Sequence, residues 1–306
     1  MNSKIEGNSN SKVLTNAKIE VNLEGCTKCG MCIAECPLRL YYFRENNLFI
    51  RHSSEMLCME CGHCVAVCPV NIIKLQRFPT EEIKVLSKDD KVPTYNELVD
   101  LIKFRRSVRQ FKKEPVSDDL WKKLIEAGRF APTGHNDQLI HFTVVRDRAL
   151  LDKISEEITK NFVNLAEIYK NPSRRDEFNS LVPKKYLNIA KMTLIGLKDM
   201  LKGIARGEEF WRWNGELLIL HAPKKTTSLE QDCSLAAGNI MLAATILGLG
   251  TCSLGLMTAA FTIFDSVANL INLPKKHVVG YALAVGIPKV KYYRTPPRQT
   301  AKVSWF

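Results

Sequence analysis

The sequence predicts a chain in two parts: a small cysteine-rich unit, followed by a larger core of α/β or α+β class. Three observations lead to that reading. With 306 residues, 34.7 kDa, 45% hydrophobic and 25% charged residues, the chain can bury a sizeable core in one large domain or two smaller ones. The same figures exclude disordered and fibrous classes. Eight of the ten cysteines fall between Cys26 and Cys68, too clustered for scattered core residues and too few overall for a disulfide scaffold. From residue 94 onward, helical and strand periodicities alternate irregularly, without an internal repeat.

Residues 1–20 are expected to form a polar tail and 21–78 the cysteine unit; 79–93, bounded by Pro79 and Pro93, reads as a charged linker. The core occupies 94–306. Its first helix starts at Thr94-Tyr95-Asn96-Glu97, where Thr and Glu have capping-box spacing ahead of Leu98, Leu101 and Ile102 on one face. Ser117-Asp118-Asp119 opens a second helix with acidic residues at its positive end, and Ala131-Pro132 stops it. Leu139 to Val145 reads as a strand, Asp147 to Lys170 as a long amphipathic helix, and 171–215 as mostly helical without an assignable motif. Glu216 to His221 suits a buried strand. Ser228-x-x-Gln231 has capping-box spacing for a helix over 229–247, and His277 to Gly286 reads as a further strand.

No charged residue occurs between Asp232 and Asp265, more than the roughly 20 residues a membrane span needs. Gly238, Asn239, Gly248, Gly250 and Gly255 interrupt the stretch, and Gly248-Leu249-Gly250 suits the end of a helix and a turn into a second element. Buried core, with no membrane span, is the expectation. The polar N-terminus shows no apolar secretory segment, so a cytoplasmic location is expected, where clustered cysteines hold metal more often than disulfides. The formal charge is +12. Residues 1–80 hold nine Lys/Arg against seven Asp/Glu, so most of the excess lies downstream. It suits either an anionic partner or a solvated surface; no aromatic-interleaved basic patch marks nucleic acid as a partner.

Cys26-x2-Cys29-x2-Cys32-x3-Cys36-Pro37 and Cys58-x2-Cys61-x2-Cys64-x3-Cys68-Pro69 are two copies of one spacing, the spacing of bacterial iron–sulfur ligation. Three closely spaced thiolates wrap three corners of a cubane, and the fourth, displaced and followed by proline, reaches the other cluster. That assigns Cys26, Cys29, Cys32 and Cys68 to one 4Fe–4S cluster, and Cys58, Cys61, Cys64 and Cys36 to a second. Zinc sites also use CxxC, but as two separated pairs. A c-type haem needs histidine where Gly62 follows Cys61. His63, between two ligands, is expected beside a cluster or in solvent rather than as a ligand. The unit resembles a bacterial two-cluster ferredoxin, and both motifs match throughout.

Clusters carry single electrons, and flavin is the usual converter to electron pairs. Arg105-Arg106-Ser107-Val108-Arg109 closes the first core helix. Three guanidiniums and a hydroxyl can hold a phosphate and a second anionic group, or form a solvated charge run. Behind it, in order, come Ala131-Pro132-Thr133-Gly134-His135-Asn136-Asp137-Gln138, Gly250-Thr251-Cys252-Ser253-Leu254-Gly255 and Gly286-Ile287-Pro288. Together the four pieces resemble the nitroreductase family of FMN enzymes over about residues 94–306.

The resemblance implies an α+β fold, with a mixed sheet flanked by helices in an interlocked homodimer and FMN at the subunit interface. Arg105 and Ser107, with Arg106 in the same run, would bind the FMN phosphate and ribityl chain. Arg109 would face the N1/C2-carbonyl edge, where a fixed cation stabilises the anionic reduced ring. Pro132, Thr133, Gly134 and Asn136 would come from the neighbouring subunit. The backbone at Leu254-Gly255 would lie near the flavin N5 edge, and Arg298 would make a second phosphate contact. Thr133 stands where the family more often has serine, and Leu139-Ile140 replaces a proline and an aromatic residue.

No side chain is assigned as catalytic, because no Ser/His/Asp or Glu/His set has triad-like spacing. Gly248-x-Gly250 lacks the third glycine of a dinucleotide fingerprint, so NAD(P)H has no dedicated domain, although it can bind over the flavin itself. Cys233 and Cys252 are expected to be small buried hydrophobes. Trp211 and Trp213 suit packing, with cover over the flavin as the alternative. The expected protein is an iron–sulfur flavoprotein oxidoreductase. Its donor would be a ferredoxin-like protein or NAD(P)H, and its acceptor a small molecule such as a nitroaromatic or quinone. Reductive dehalogenation or double-bond reduction on the same scaffold, or a non-catalytic electron-transfer module, are the alternatives.

Overall fold

The computed structural model describes residues 13–188, 191 and 215–306; Trp211 and Trp213 lie outside the described residues. Contacts divide the chain into two compact units, residues 1–92 with 135–137, and residues 93–134 with 138–306.

In the first unit, β1 (Val13–Thr15) and β2 (Ile19–Asn22) begin inside the stretch expected to be a polar tail, which corrects that expectation. The reason is alternation: Ile19 and Val21 point inward at 0% exposure, a period-2 pattern too short to stand out from the polar residues around it. A hairpin follows, β3 (Tyr41–Arg44) and β4 (Asn47–Ile50), and β5 (Ile73–Leu75) returns to pair with β2. Three short helices complete the unit: α1 (Met31–Glu35), α2 (Ser54–Leu57) and α3 (His63–Ala66). The sequence repeat is a backbone repeat as well. Lys28 and Glu60, Gly30 and Gly62, and Arg39 and Asn71 are all left-handed, each pair at the same offset as Cys26 and Cys58. Gly30 (φ 75°) and Gly62 (φ 79°) precede α1 and α3, where a side chain would be strained.

The second unit opens with α4 (Tyr95–Phe104), whose capping box is formed: Thr94 Oγ1 accepts from Glu97 N–H, and Thr94 N–H donates to Glu97 Oε2 at 2.7 Å. Next come α5 (Asp118–Arg129), capped by Ser117, then β6 (His141–Val145) and α6 (Arg148–Lys170), capped by Asp147. The described part of 171–215 holds α7 (Arg175–Leu181) and 3-10 turns at Pro172–Arg174 and Lys184–Tyr186. The chain continues through β7 (Glu216–Pro223), α8 (Leu229–Ile246), β8 (Gly250–Ser253), α9 (Gly255–Ile263), α10 (Asp265–Ala268) and β9 (His277–Gly286).

The sheet order is β6-β7-β9-β8, with antiparallel neighbours, and among the described residues the parallel component is the Ser107–Thr251 bridge. Central β7 explains its own composition. Leu217 and Ile219 face one core with α6 and α9, Leu218 and Leu220 face the other with α5 and α8, and all four are 0% exposed. A strand covered on both sides has no polar face to alternate with.

The charge-free stretch is α8, β8 and α9, with Gly248 (φ 72°) turning the chain between the first two. No described helix is long and apolar enough to cross a membrane. One expected cap fails: Ser228 precedes α8 at φ −124°, ψ 36°, and its side chain makes no capping bond. That conformation turns the hydroxyl away from the helix; it sits against Gly134 instead.

Candidate functional site

The two motifs fold into two cavities in the first unit. One is lined by Cys26, Cys29, Cys32 and Cys68, the other by Cys36, Cys58, Cys61 and Cys64. Each cradle thus takes three thiols from one motif and the fourth from the other, the crossed grouping read from the spacing. The fit to a cluster rests on this donor set: four thiols line each cavity, the ligand set of a 4Fe–4S cubane. Burial pushes the Cys32 thiol up to about 11, aided by Cys26 and Cys29, and pushes Cys64 up as well. Such sulfurs become thiolates when metal takes the proton's place. Leu40 N–H donates to Cys36 Sγ at 3.5 Å and Glu60 N–H to Cys58 Sγ at 3.4 Å. Lys18 Nζ donates to Cys58 O at 2.7 Å. His63 is largely exposed, its Nδ1 3.9 Å from Glu35.

In the second unit, three of the four separated pieces converge on the edge strand β8. Val108 N–H donates to Thr251 O at 2.8 Å, and Ser107 bridges Thr251 in parallel. Further along, Lys112 N–H donates to Ile287 O at 2.8 Å and Lys289 N–H to Gln110 O at 2.9 Å. Arg105 ends α4 half-buried, and Arg109 is exposed, with Nη1 3.4 Å from Ser107 O. Both guanidiniums act electrostatically on the thiol of Cys252, although burial dominates and raises it. Leu254 N–H donates to Ala282 O at 2.9 Å, and Gly255 opens α9 with nothing within 4 Å of where a Cβ would stand.

Other predicted residues are placed differently. Arg106 donates to three backbone carbonyls, including Arg105 O at 2.8 Å and Arg294 O at 2.7 Å. Arg298 donates to its neighbour Pro297 O at 3.0 Å and is exposed. The fourth piece, Ala131–Gln138, is anchored on the first turns of α8, where Gly134 N–H donates to Asp232 Oδ1 at 3.0 Å. Thr133 Oγ1 accepts from Gln138 N–H at 3.1 Å, and Pro132 follows buried Ala131. Asn136 belongs to the first unit, where its Nδ2 donates to Glu60 O at 2.9 Å. Cys233 and Cys252 are buried, at 0% and 4% exposure, and burial pushes Cys233 up to about 12.

Sequence reasoning did not single out Tyr41, whose hydroxyl donates to Cys64 Sγ at 3.3 Å, or the Ser253–Tyr281 hydroxyl pair at 2.6 Å. Neither carries a motif; each pairs residues 23 or more positions apart.

Cradles of this composition serve electron transfer, so the class is an iron–sulfur redox protein with an attached α+β domain. The chain belongs to the nitroreductase family, whose model matches residues 102–287, and a 4Fe–4S dicluster domain matches residues 17–85. A candidate NADH dehydrogenase/NAD(P)H nitroreductase of Archaeoglobus fulgidus is 27% identical over 193 residues, 63% of this chain and 86% of that protein. The iodotyrosine deiodinase of Thermotoga neapolitana is 30% identical over 204 residues, 64% of this chain and 93% of that protein. Among solved structures, an FMN-bound nitroreductase of Bacteroides fragilis is 23% identical, with a TM-score of 0.49 over 68% of this chain and 99% of that one.

Proposed function

We propose that this chain is an iron–sulfur flavoprotein oxidoreductase. It takes electrons singly from an external donor into two 4Fe–4S clusters and delivers them, through FMN, to a small electron-poor acceptor such as a nitroaromatic or quinone. The observation that carries this reading is the convergence on β8 of Arg105–Arg109, Gly250–Gly255 and Gly286–Pro288.

FMN, when bound, turns a supply of single electrons into two-electron reduction. The residues of this chain hold and orient it. Arg105 and Ser107 suit its phosphate and ribityl chain, because a guanidinium and a hydroxyl offer several donors to one anion. Arg109 supplies a fixed cation for the N1/C2-carbonyl edge. The uncovered backbone at Gly255 leaves room for a ring to approach closely. Pro132, Thr133 and Gly134 would reach a second subunit's FMN in a homodimer. Exposure of Tyr95 (78%), Ile102 (51%) and Phe104 (64%) on α4 favours such pairing. Asn136, whose amide also donates to Glu60 O, belongs to the same set as read from the sequence.

The Thermotoga deiodinase favours a second reading, reductive removal of a halogen on the same scaffold. The test is anaerobic purification with iron, sulfide and flavin quantitation, followed by turnover with reduced ferredoxin or NADH on nitroaromatic, quinone and halophenol substrates. About eight irons and one FMN per chain are expected from two cubanes and one flavin site. Zinc in place of iron, or protein that retains no flavin, would sink the corresponding half. Halophenol turnover without nitroaromatic or quinone turnover would select the second reading.

A further inference from the structure

The two cradles are built on one repeat, and one buried position of that repeat carries a side-chain donor in one copy and none in the other. Tyr41 lines the cradle of Cys36, Cys58, Cys61 and Cys64; its counterpart at the repeat offset, Ile73, lines the cradle of Cys26, Cys29, Cys32 and Cys68. Tyr41 is 2% exposed and its hydroxyl donates to Cys64 Sγ at 3.3 Å; Ile73 is equally buried and has no donor to offer. A thiol sulfur accepts hydrogen bonds weakly, so a buried tyrosine hydroxyl gains little there until the sulfur becomes an iron-bound thiolate, when the bond is charge-assisted. In the first cradle the polar groups beside Cys29, the Met31 backbone and the Thr27 side chain, hold its thiol below the ordinary value. Cys29 is exposed, and a hydroxyl that replaces water at an exposed sulfur changes little.

We propose that Tyr41 makes the two clusters electrochemically inequivalent, raising the reduction potential of the one held by Cys36, Cys58, Cys61 and Cys64. The inference rests on the iron–sulfur assignment and needs no flavin. When one electron enters that cradle, negative charge at the sulfurs increases and Tyr41 donates into it more strongly. Tyr41 keeps its proton, no bond forms or breaks, and the electron is the only species transferred. Hydrogen bonds to cluster sulfurs are among the main terms that set such potentials.

The experiment is an EPR-monitored redox titration of the iron-loaded full chain and of Tyr41→Phe, which keeps the ring and removes the hydroxyl. One cluster step should become about tenfold harder to populate, equivalent to about 59 mV for one electron, while the other step and the iron content stay as in the wild type. Unchanged potentials, or equal shifts of both, overturn the proposal. If Tyr41→Phe loses iron, 3-fluorotyrosine-labelled protein decides, because fluorination strengthens the phenol as a donor. One potential should then rise, and its failure to move overturns the proposal equally.

Discussion

Trp121 donates its indole N–H to Glu216 Oε2 at 2.7 Å, with the two residues only 4% and 7% exposed. The other carboxylate oxygen accepts from Val116 N–H at 2.8 Å, and Arg146 Nε stands 3.3 Å from Oε2. One carboxylate thereby ties α5, the segment before it and the residue that follows β6 to the start of β7. Glu216→Leu removes the only charge that answers two buried donors. It should lower unfolding free energy by about 2–4 kcal/mol, the cost of buried donors left unsatisfied. Glu216→Gln should cost less. Denaturant unfolding of the full chain measures both.

The crossed ligand sets predict which cysteines act together. Cys68→Ser should disturb the same cluster as Cys29→Ser, and Cys36→Ser the same one as Cys61→Ser, although each pair spans both motifs. Iron should fall to about four per chain wherever one cubane is lost. EPR spectra that instead paired Cys68→Ser with Cys61→Ser would contradict the crossing.

Gly250 has no room for a side chain, since a Cβ there would lie 2.7 Å from Val108 Cβ. Val108 cannot retreat, being 5% exposed and tied through its N–H to Thr251 O. Gly250→Ala should therefore push the Arg105–Arg109 run off β8, destabilise the chain by about 1–3 kcal/mol and weaken FMN retention at least tenfold. Gly248→Ala is the control. Its Cβ would meet open space, and only the strain of φ 72°, about 1 kcal/mol, should register, without loss of flavin. Thermal unfolding and flavin fluorescence after desalting separate the two effects.

Three histidines meet at one end of the sheet. His221, 2% exposed, shares a 2.9 Å Nδ1–Nδ1 contact with His277, and its Nε2 lies 2.9 Å from Thr143 Oγ1. Burial, reinforced by His277 and His141, pulls His221 down to about 4 from 6.5. The unfolded chain thus takes up a proton that the folded chain refuses. The stabilisation is complete above about pH 6.5 and is lost as pH falls toward 4, by at most about 1.4 kcal/mol per unit. Denaturant unfolding at pH 7 and pH 4.5 should show a wild-type loss about 1–3 kcal/mol larger than that of His221→Gln. Equal losses would show that another group governs the acid side.

Much of this architecture was legible in the sequence. The helix starts at Thr94, Ser117 and Asp147 follow from capping side chains that act within three residues. β7 was legible as a buried strand because four apolar residues, Leu217 to Leu220, follow Glu216 without a polar break. Where the local signal misled, the reason is equally local. Ser228 has capping spacing but a backbone turned out of the capping conformation, and Val13–Thr15 is a strand too short to register against its polar neighbours.

The sequence by itself determined the two runs of closely spaced cysteines and the starts of the capped helices, because the geometry of thiols two residues apart, or of a cap and its helix, is a property of a few adjacent bonds. Only the tertiary structure decided that Tyr41 answers Cys64, that Arg106 donates to Arg294 O while Arg105 and Arg109 act electrostatically on Cys252, and that Asn136 donates to Glu60 O. Those pairings join residues far apart along the chain. Packing of buried surfaces sets which distant donors and acceptors meet, and no local pattern of residues encodes that choice.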